Sequence, residues 1–349
     1  MTSQEESMIS SFSPSLWALA RKRLARDAIG LLSLLVVVFF ILMSLGSYFG
    51  FLAKNWDQEV AINYAPPTWL ATNQESVSAL QAPIPPRSQI DLYGQTDPLA
   101  PLLDELEAHN PQDINSPPDQ QKVNHLVFGA DKWGRSVILK TIKGSETSIL
   151  VGLVAALVAT AIGTVLGALS GYFGGWVDDF LNWFYNVFTA IPYLLLIFAI
   201  AAVLNQKGVS TIILILGLTG WTGVYRLIRA EYLKHRHREY VLAAKAMGAS
   251  HYRRMFIHIL PNTLHVILVQ LSINVVGFIK SEVILSFLGF GVPVEVVSWG
   301  SMLNEAQNEL VLGIWWQLVA AGVAMALLVT AFSVLTDALR DALDPKVVA

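Results

Sequence analysis

The chain has 349 residues, of which 54% are hydrophobic and only 14% charged, with a mean hydropathy of +0.52 and a formal net charge of -3. These values exclude an ordinary soluble domain of this length and mark an integral membrane protein. Without cysteine, disulfides and thiolate metal sites are excluded as well. The small net charge hides a segregation, because residues 54–127 carry ten acids against three bases and the remainder is basic by four. A basic rim beside anionic lipid accounts for that excess without a nucleic-acid partner.

The basic stretch SLWALARKRLAR, residues 15–26, reads as an interfacial helix, with Leu16, Trp17 and Leu24 in lipid and the cations among headgroups. The apolar run Ala28–Ala53 follows, too long for a signal-peptide core and without a small-x-small cleavage site, so it is expected to stay as an anchor. Further apolar runs cover Ile149–Tyr172, Phe184–Leu204, Val209–Tyr225, Thr263–Ile279 and Leu312–Leu335. Each can cross a hydrocarbon core of about 30 Å as helix, and none alternates with period two as barrel strands do. An all-α membrane protein with six transmembrane helices is the expectation. Arg21, Lys22, Arg23 and Arg26 before the first span, and the bases from Arg226 to Arg254 after the fourth, put both ends inside by the positive-inside rule. Residues 289–311, with three glutamates and no Lys or Arg, read as an external loop.

Between the first two spans, residues 54–127 hold ten of the fifteen prolines. This segment is expected outside, irregular or extended, with one short helix over 99–108 and with Trp69, Tyr93 and Leu102 pinning it to the membrane domain. FGADKWGRS, residues 128–136, contains G-x-x-x-x-G-R-S, one substitution from a phosphate-binding loop. That reading fails, because arginine stands where the phosphate-reaching lysine is required, no buried strand precedes it, and the topology puts it outside. In the second span Gly163, Gly167 and Gly171 recur every four residues and give one close-packing face. Asp178 and Asp179 suit the positive end of the third span's helix dipole, and Pro192 is expected to kink that span and free a carbonyl.

Most informative is EYVLAAKAMGASHYRRMFIHILPN, residues 239–262, a polar helix-forming stretch between two apolar runs. Glu239, Tyr240, Ala243 and Ala244 begin a short helix among strong helix formers, and Gly248 is placed to close it with a left-handed cap. Ser250 can cap a second helix, which Pro261 is expected to interrupt. His235, His237, His251 and His258 fall in this region without the spacing of H-E-x-x-H, and no G-x-S-x-G elbow occurs, so neither metal chemistry nor acyl transfer is expected of the chain. Beyond it, Asn274, Lys280 and Glu282 sit on the fifth span. The two ionisable groups are two residues apart and cannot pair on a helix. Either one of them lines the outer part of a path or both anchor at the interface.

The order Glu-x-x-x-Ala-Ala, a glycine four residues on, and Ile-Leu-Pro-Asn resembles the EAA loop of ABC importer permeases. The strings FGADKWGRS, SGYFGGWVDD, SEVILSFLGFG, SWGSMLNEA and LRDALDP extend the resemblance to the second permease subunit of dipeptide, oligopeptide and nickel importers, over roughly residues 14–53 and 123–346. Ala130 stands where that family's G-T-D-x-x-G-R segment has threonine, and Glu282 matches the acid of its E-x-x-L-S-F-L-G string, whereas Lys280 has no counterpart. The resemblance implies a six-helix, type I ABC importer permease fold. It also implies a homologous second permease, two ATPases inside that bind ATP and magnesium, and an external solute-binding protein. The chain itself is implied to hold no cofactor or metal and to catalyse nothing. Glu239, Tyr240, Ala243, Ala244, Gly248, Ala249 and Ser250 would form the coupling helix docked in an ATPase groove; Pro192, Asn274, Lys280 and Glu282 are path candidates on the reading of the residues themselves. The implied organisation is residues 1–27 inside, 28–53 as the first span, 54–127 as an insert longer than the family leads one to expect, and 128–349 as the permease core with a coupling loop over 226–262. A bacterial cytoplasmic membrane is the implied location, with di- or oligopeptides as cargo, nickel or another small solute as the alternative, and a secondary transporter as a further one.

Overall fold

Residues 23–70, 122–293 and 295–343 are described in the computed structural model of the chain. Most of the interfacial segment 15–26, the expected helix 99–108 with Tyr93 and Leu102, and Asp344 and Pro345 of the terminal string lie outside them. Two compact units separate, one of Met1–Lys54 with Thr141–Ala349 and one of Asn55–Lys140.

The first unit is helical. We number its helices α1 (Ala28–Tyr48), α2 (Val137–Phe173, which begins in the second unit), α3 (Gly175–Thr189), α4 (Tyr193–Leu204), α5 (Val209–Thr219), α6 (Thr222–His235), α7 (Glu239–Ala246), α8 (Leu260–Phe287), α9 (Trp299–Val311) and α10 (Trp316–Leu343). A π-helical segment, Arg253–Ile259, leads into α8. Among the described residues, five helical stretches are long and apolar enough to cross a membrane, α5 with α6 and the π segment with α8 each counting as one, and α3 with α4 makes up to six. That last pair turns through 83° at a break holding Pro192. The sequence therefore placed a kink correctly, but the span over Phe184–Leu204 is two helices rather than one bent rod. A proline needs no donor at the N-cap of α4, and the turn lies before it.

In lipid, helices gain little from burying apolar surface against each other, so close backbone approach decides packing. The glycine face of α2 achieves it against α6. A Cβ on Gly163 would stand 2.6 Å from the Trp221 carbonyl oxygen, one on Gly167 2.7 Å from that of Tyr225, and one on Gly171 2.5 Å from that of Arg229. Four-residue steps on one helix thus match four-residue steps on the other. A polar tie locks the same pair to α3. Arg229 donates through Nε and Nη2 to the two carboxylate oxygens of Asp178 at 2.6 and 2.7 Å. The Ser170 hydroxyl and the Asn182 amide donate to the same carboxylate. Asp178 lies in the first turn of α3 as expected, and Arg229 is the partner that sequence reading did not assign to it.

Two expectations need correction. Helix α6 carries Arg226, Arg229 and Lys234 to His235, so the basic loop expected from residue 226 begins ten residues later. Residues 299–311, read as loop, form α9, in which Ser298 and Ser301 make a reciprocal capping box. That helix packs with α8 and α10.

In the second unit, Ala61 bridges to Val123 and Pro67 to Leu126 in parallel, and Ala130 to Ser136 antiparallel. Asp131 organises the turn, accepting from the backbone N–H of Trp133 and Arg135 at 2.9 Å each and from Lys140 Nζ at 2.7 Å. The ion pair is almost wholly buried. A carboxylate therefore fills the turn that a phosphate-binding loop would leave open to phosphate. Gly134, at φ +77°, lies so close to the Ala61 carbonyl that no side chain fits. Trp69 meets Phe128 edge-on within this unit.

The glycine face yields a stability test. Gly167→Leu forces α2 from α6 and is expected to lower the melting temperature of the detergent-purified subunit by several degrees or abolish folded yield. Gly322→Ala, inside α10 with nothing near the added methyl, should be neutral or stabilise by up to about 1 kcal/mol.

Candidate functional site: the hairpin between α6 and α8

Helix α7 has only eight residues, too short to persist alone in water. Tertiary contacts hold it. Val241 and Ala244, one turn apart, are each 2% exposed. Val241 belongs to one buried cluster with Ala168 of α2, Val224, Ile228 and Tyr232 of α6, and Met255 and Ile259 of the π segment. Burying a valine side chain is worth about 1.5–3 kcal/mol, enough to seat a short helix whose own formation is close to neutral.

The opposite face is open. Glu239, Tyr240, Leu242, Ala243, Lys245 and Met247 are exposed, Met247 at 81%. Gly248 takes φ +83° with nothing near a Cβ, as the expected left-handed cap. The Ser250 hydroxyl accepts from the Arg253 N–H at 3.3 Å, and Ala249 is half-buried behind it. Ala244 is a correction. The sequence pairs it with Ala243 as a small contact residue, yet at 100° per residue the two project differently and only Ala243 faces outward.

Pro261 also behaves differently from expectation. It does not stop the helix, because residues 253–259 widen to π geometry and run straight into α8, with Pro261 in its first turn. The Leu260 N–H reaches the Met255 carbonyl, five residues back. A proline lacks the donor for the carbonyl four residues before it and collides with that group, and a wider turn relieves both. Asn262 Nδ2 donates to the His258 carbonyl at 2.7 Å, and the Tyr232 hydroxyl to that of Met255 at 3.1 Å. These two side-chain donors tie the π turn to α6 and to the start of α8.

Side-chain clasps fix both ends of the hairpin. Tyr240 Oη lies 2.9 Å from His235 Nδ1. Its hydroxyl can donate to that nitrogen when His235 carries its proton on Nε2. At the other end Tyr172 Oη lies 3.1 Å from His251 Nδ1, with the Arg254 guanidinium 5.7 Å from the Tyr172 ring. Two of the four histidines therefore serve as latches.

The remaining candidates separate. Pro192 is exposed at the α3–α4 break. Asn274 is half-buried, donating to Thr160 at 3.2 Å and accepting from Gln270 at 3.3 Å. Glu282 is fully buried and accepts from Ser148 and Ser286, each at 2.7 Å. Ser148 also accepts from the Trp299 N–H at 3.2 Å. Glu282 is thus neither an interfacial anchor nor, in this conformation, open to a path: it joins α2, α8 and the start of α9. Lys280 is exposed on the surface of α8.

Two substitution pairs follow from this geometry. Ala244→Asp buries a carboxylate in an apolar core and should cost several kcal/mol, seen as lost folded yield. Ala243→Asp should leave the melting temperature nearly unchanged, within about 0.5 kcal/mol. Likewise Glu282→Gln, which keeps an acceptor for the serines, should retain more folded protein than Glu282→Leu, by about 1–3 kcal/mol.

Comparison with known proteins bears on this arrangement. A family model described as binding-protein-dependent transport system inner membrane component matches residues 163–349. The dipeptide transport system permease protein DppC of Bacillus subtilis is 40% identical over 219 residues, 63% of this chain and 68% of that protein. The oligopeptide transport system permease protein OppC of the same organism is 37% identical, covering 63% and 71%. The di/tripeptide transport system permease protein DppC of Pseudomonas aeruginosa is 33% identical, covering 63% and 72%. A chain of the MetNI methionine ABC transporter is matched over 60% of this chain and 98% of its own, at 14% identity and a TM-score of 0.49, too distant to bear on the fold. Since the family match spans more than half of the residues and includes α6, the hairpin, α8 and α10, the chain belongs to the binding-protein-dependent transport system inner membrane components, the permease subunits of ABC importers.

Proposed function

We propose that this subunit forms half of the translocation path of an ATP-driven importer of di- or oligopeptides. In this reading the exposed face of α7 docks on a partner ATPase. The supporting observation is the two-faced hairpin. Glu239, Tyr240, Ala243 and Gly248 lie open, while Val241 is fixed in the same core as α2 and α6. A push on the open face is then transmitted to the membrane helices rather than absorbed by a loose loop. Glu239, at the edge of that face and in the first turn of α7, offers a directional, charge-assisted contact.

ATP and magnesium belong to two partner ATPases, a homologous permease completes the path, and an external binding protein delivers the solute. The chain supplies two packed arrangements that the docked partners favour differently, and it performs no chemistry itself. Orientation follows from the bases around residues 226–254 and before α1, which favour the inner face of a bacterial cytoplasmic membrane for the hairpin and both termini. Peptide cargo is supported by the three relatives, each a peptide-transport permease by name.

Mass spectrometry of the complex purified in mild detergent should find two ATPase chains and a second permease. Glu239→Lys and Gly248→Asp should insert normally yet lose peptide uptake by about tenfold or more, the equivalent of roughly 1.4 kcal/mol in coupling. Full uptake by both variants would refute the docking assignment.

A further inference from the structure

We propose that the cavity at the inner ends of α6, α8 and α10 holds the phosphate headgroup of an anionic lipid from the inner leaflet; this rests on the inward orientation of the hairpin proposed above. The cavity measures about 220 Å³, more than ten times the roughly 15 Å³ that a single water needs. Three segments bring cationic side chains to it: Lys234 and His235 from the last turn of α6, Arg238 from the N-cap of α7, and His265 from α8. Glu231 is the one acid among the described lining residues, and it is already shared, with Lys234 Nζ at 3.2 Å and His235 Nε2 at 3.5 Å. Arg238 and His265 pair with no acid among the described residues. Such a cavity calls for an anion.

The lining fits a lipid better than a soluble anion. Leu343 gives the cavity an apolar side, and with Ala342 it packs on Val269 of α8 and Leu339 of α10. His265 is the third residue of the apolar run Thr263–Ile279, so the cavity lies where that span leaves the hydrocarbon. Lys234 and Arg238 are exposed to water. Cations toward water and apolar residues toward the membrane suit a phosphodiester that carries acyl chains, and basic pockets between transmembrane helices at the inner face take such headgroups. An ordinary basic rim presents its cations singly and outward, whereas these converge on one concavity. Arg226 supplies the contrast, being exposed on α6 without an ion pair among the described residues and standing outside the cavity. His235 also meets the Tyr240 hydroxyl at 2.9 Å, so a lipid held here would brace the hairpin from its membrane side.

The test titrates the complete transporter in neutral detergent with phosphatidylglycerol, phosphatidylcholine, glycerol phosphate and inorganic phosphate, and counts bound molecules by native mass spectrometry. Phosphatidylglycerol should bind at least about tenfold more tightly than phosphatidylcholine and than either soluble phosphate. Arg238→Gln should weaken that binding about tenfold, and Arg226→Gln, which removes an equal charge outside the cavity, less than about twofold. Equal affinity for the two lipids, equal losses in the two variants, or soluble phosphate bound as tightly as lipid would each overturn the assignment. So would a selective site that exists on the isolated permease pair and disappears once the ATPases are bound, which would give the cavity to the ATPase interface. If Arg238→Gln yields no folded complex, His265→Gln and the ratio of the two lipids on the wild-type complex decide. The chain has no cysteine of its own, so labelling of this subunit at Arg238→Cys by an impermeant thiol reagent from the outer face would refute the orientation itself rather than the lipid site.

Discussion

The Val241 side chain, buried against Ile228, Tyr232 and Met255, is the contact on which the mechanical account depends. Eight residues of helix outside the membrane have little stability of their own, and without this core the open face of α7 would be a fluctuating tether. With it, the hairpin, α6 and the adjoining end of α2 share one packed interior. Packed interiors rearrange between discrete states rather than deform continuously.

The interior persists at membrane depth because α2 presents glycines where α6 presents backbone. Gly163, Gly167 and Gly171 bring the helix axes close, and the Asp178–Arg229 pair fixes α3 to both. Removing either member of a bidentate pair strands a charge, which is far more damaging than the pair is stabilising. At a second level Glu282, Ser148 and Trp299 do the same for α2, α8 and α9. These two polar nodes, several turns apart on α2, divide the bundle into a part held with the hairpin and a part held with α9.

Short-range rules made much of this legible in the sequence. The left-handed Gly248, the Ser250 cap, the break at Pro192 and the glycine face of α2 each follow from one residue type at one spacing, and the structure has all four. What stayed hidden depends on partners far along the chain or on subtler local geometry. Asp178 finds Arg229 across 51 residues and Glu282 finds Ser148 across 134, and no spacing rule connects them. Helix α9 was missed because its capping box uses serine at the third position instead of the usual Glu or Gln. Ala243 and Ala244 look alike in the sequence, because only the direction of the core separates the exposed one from the buried one. Pro261 announces a disturbance, but the residue type alone does not say whether a helix stops or widens to π, as it does here with Tyr232 and Asn262 bonded to the turn.

The most direct measurement is the distance between spin labels at Met247→Cys on the hairpin and Leu227→Cys on α6, both exposed positions, in the reconstituted transporter through the nucleotide cycle. A hairpin welded to α6 keeps that distance within about 1–2 Å in every nucleotide state while uptake proceeds, as rigid-body motion requires. A distribution that shifts by several ångströms or broadens on nucleotide binding, with uptake intact, would mean that the hairpin moves independently of the helices it is held to drive.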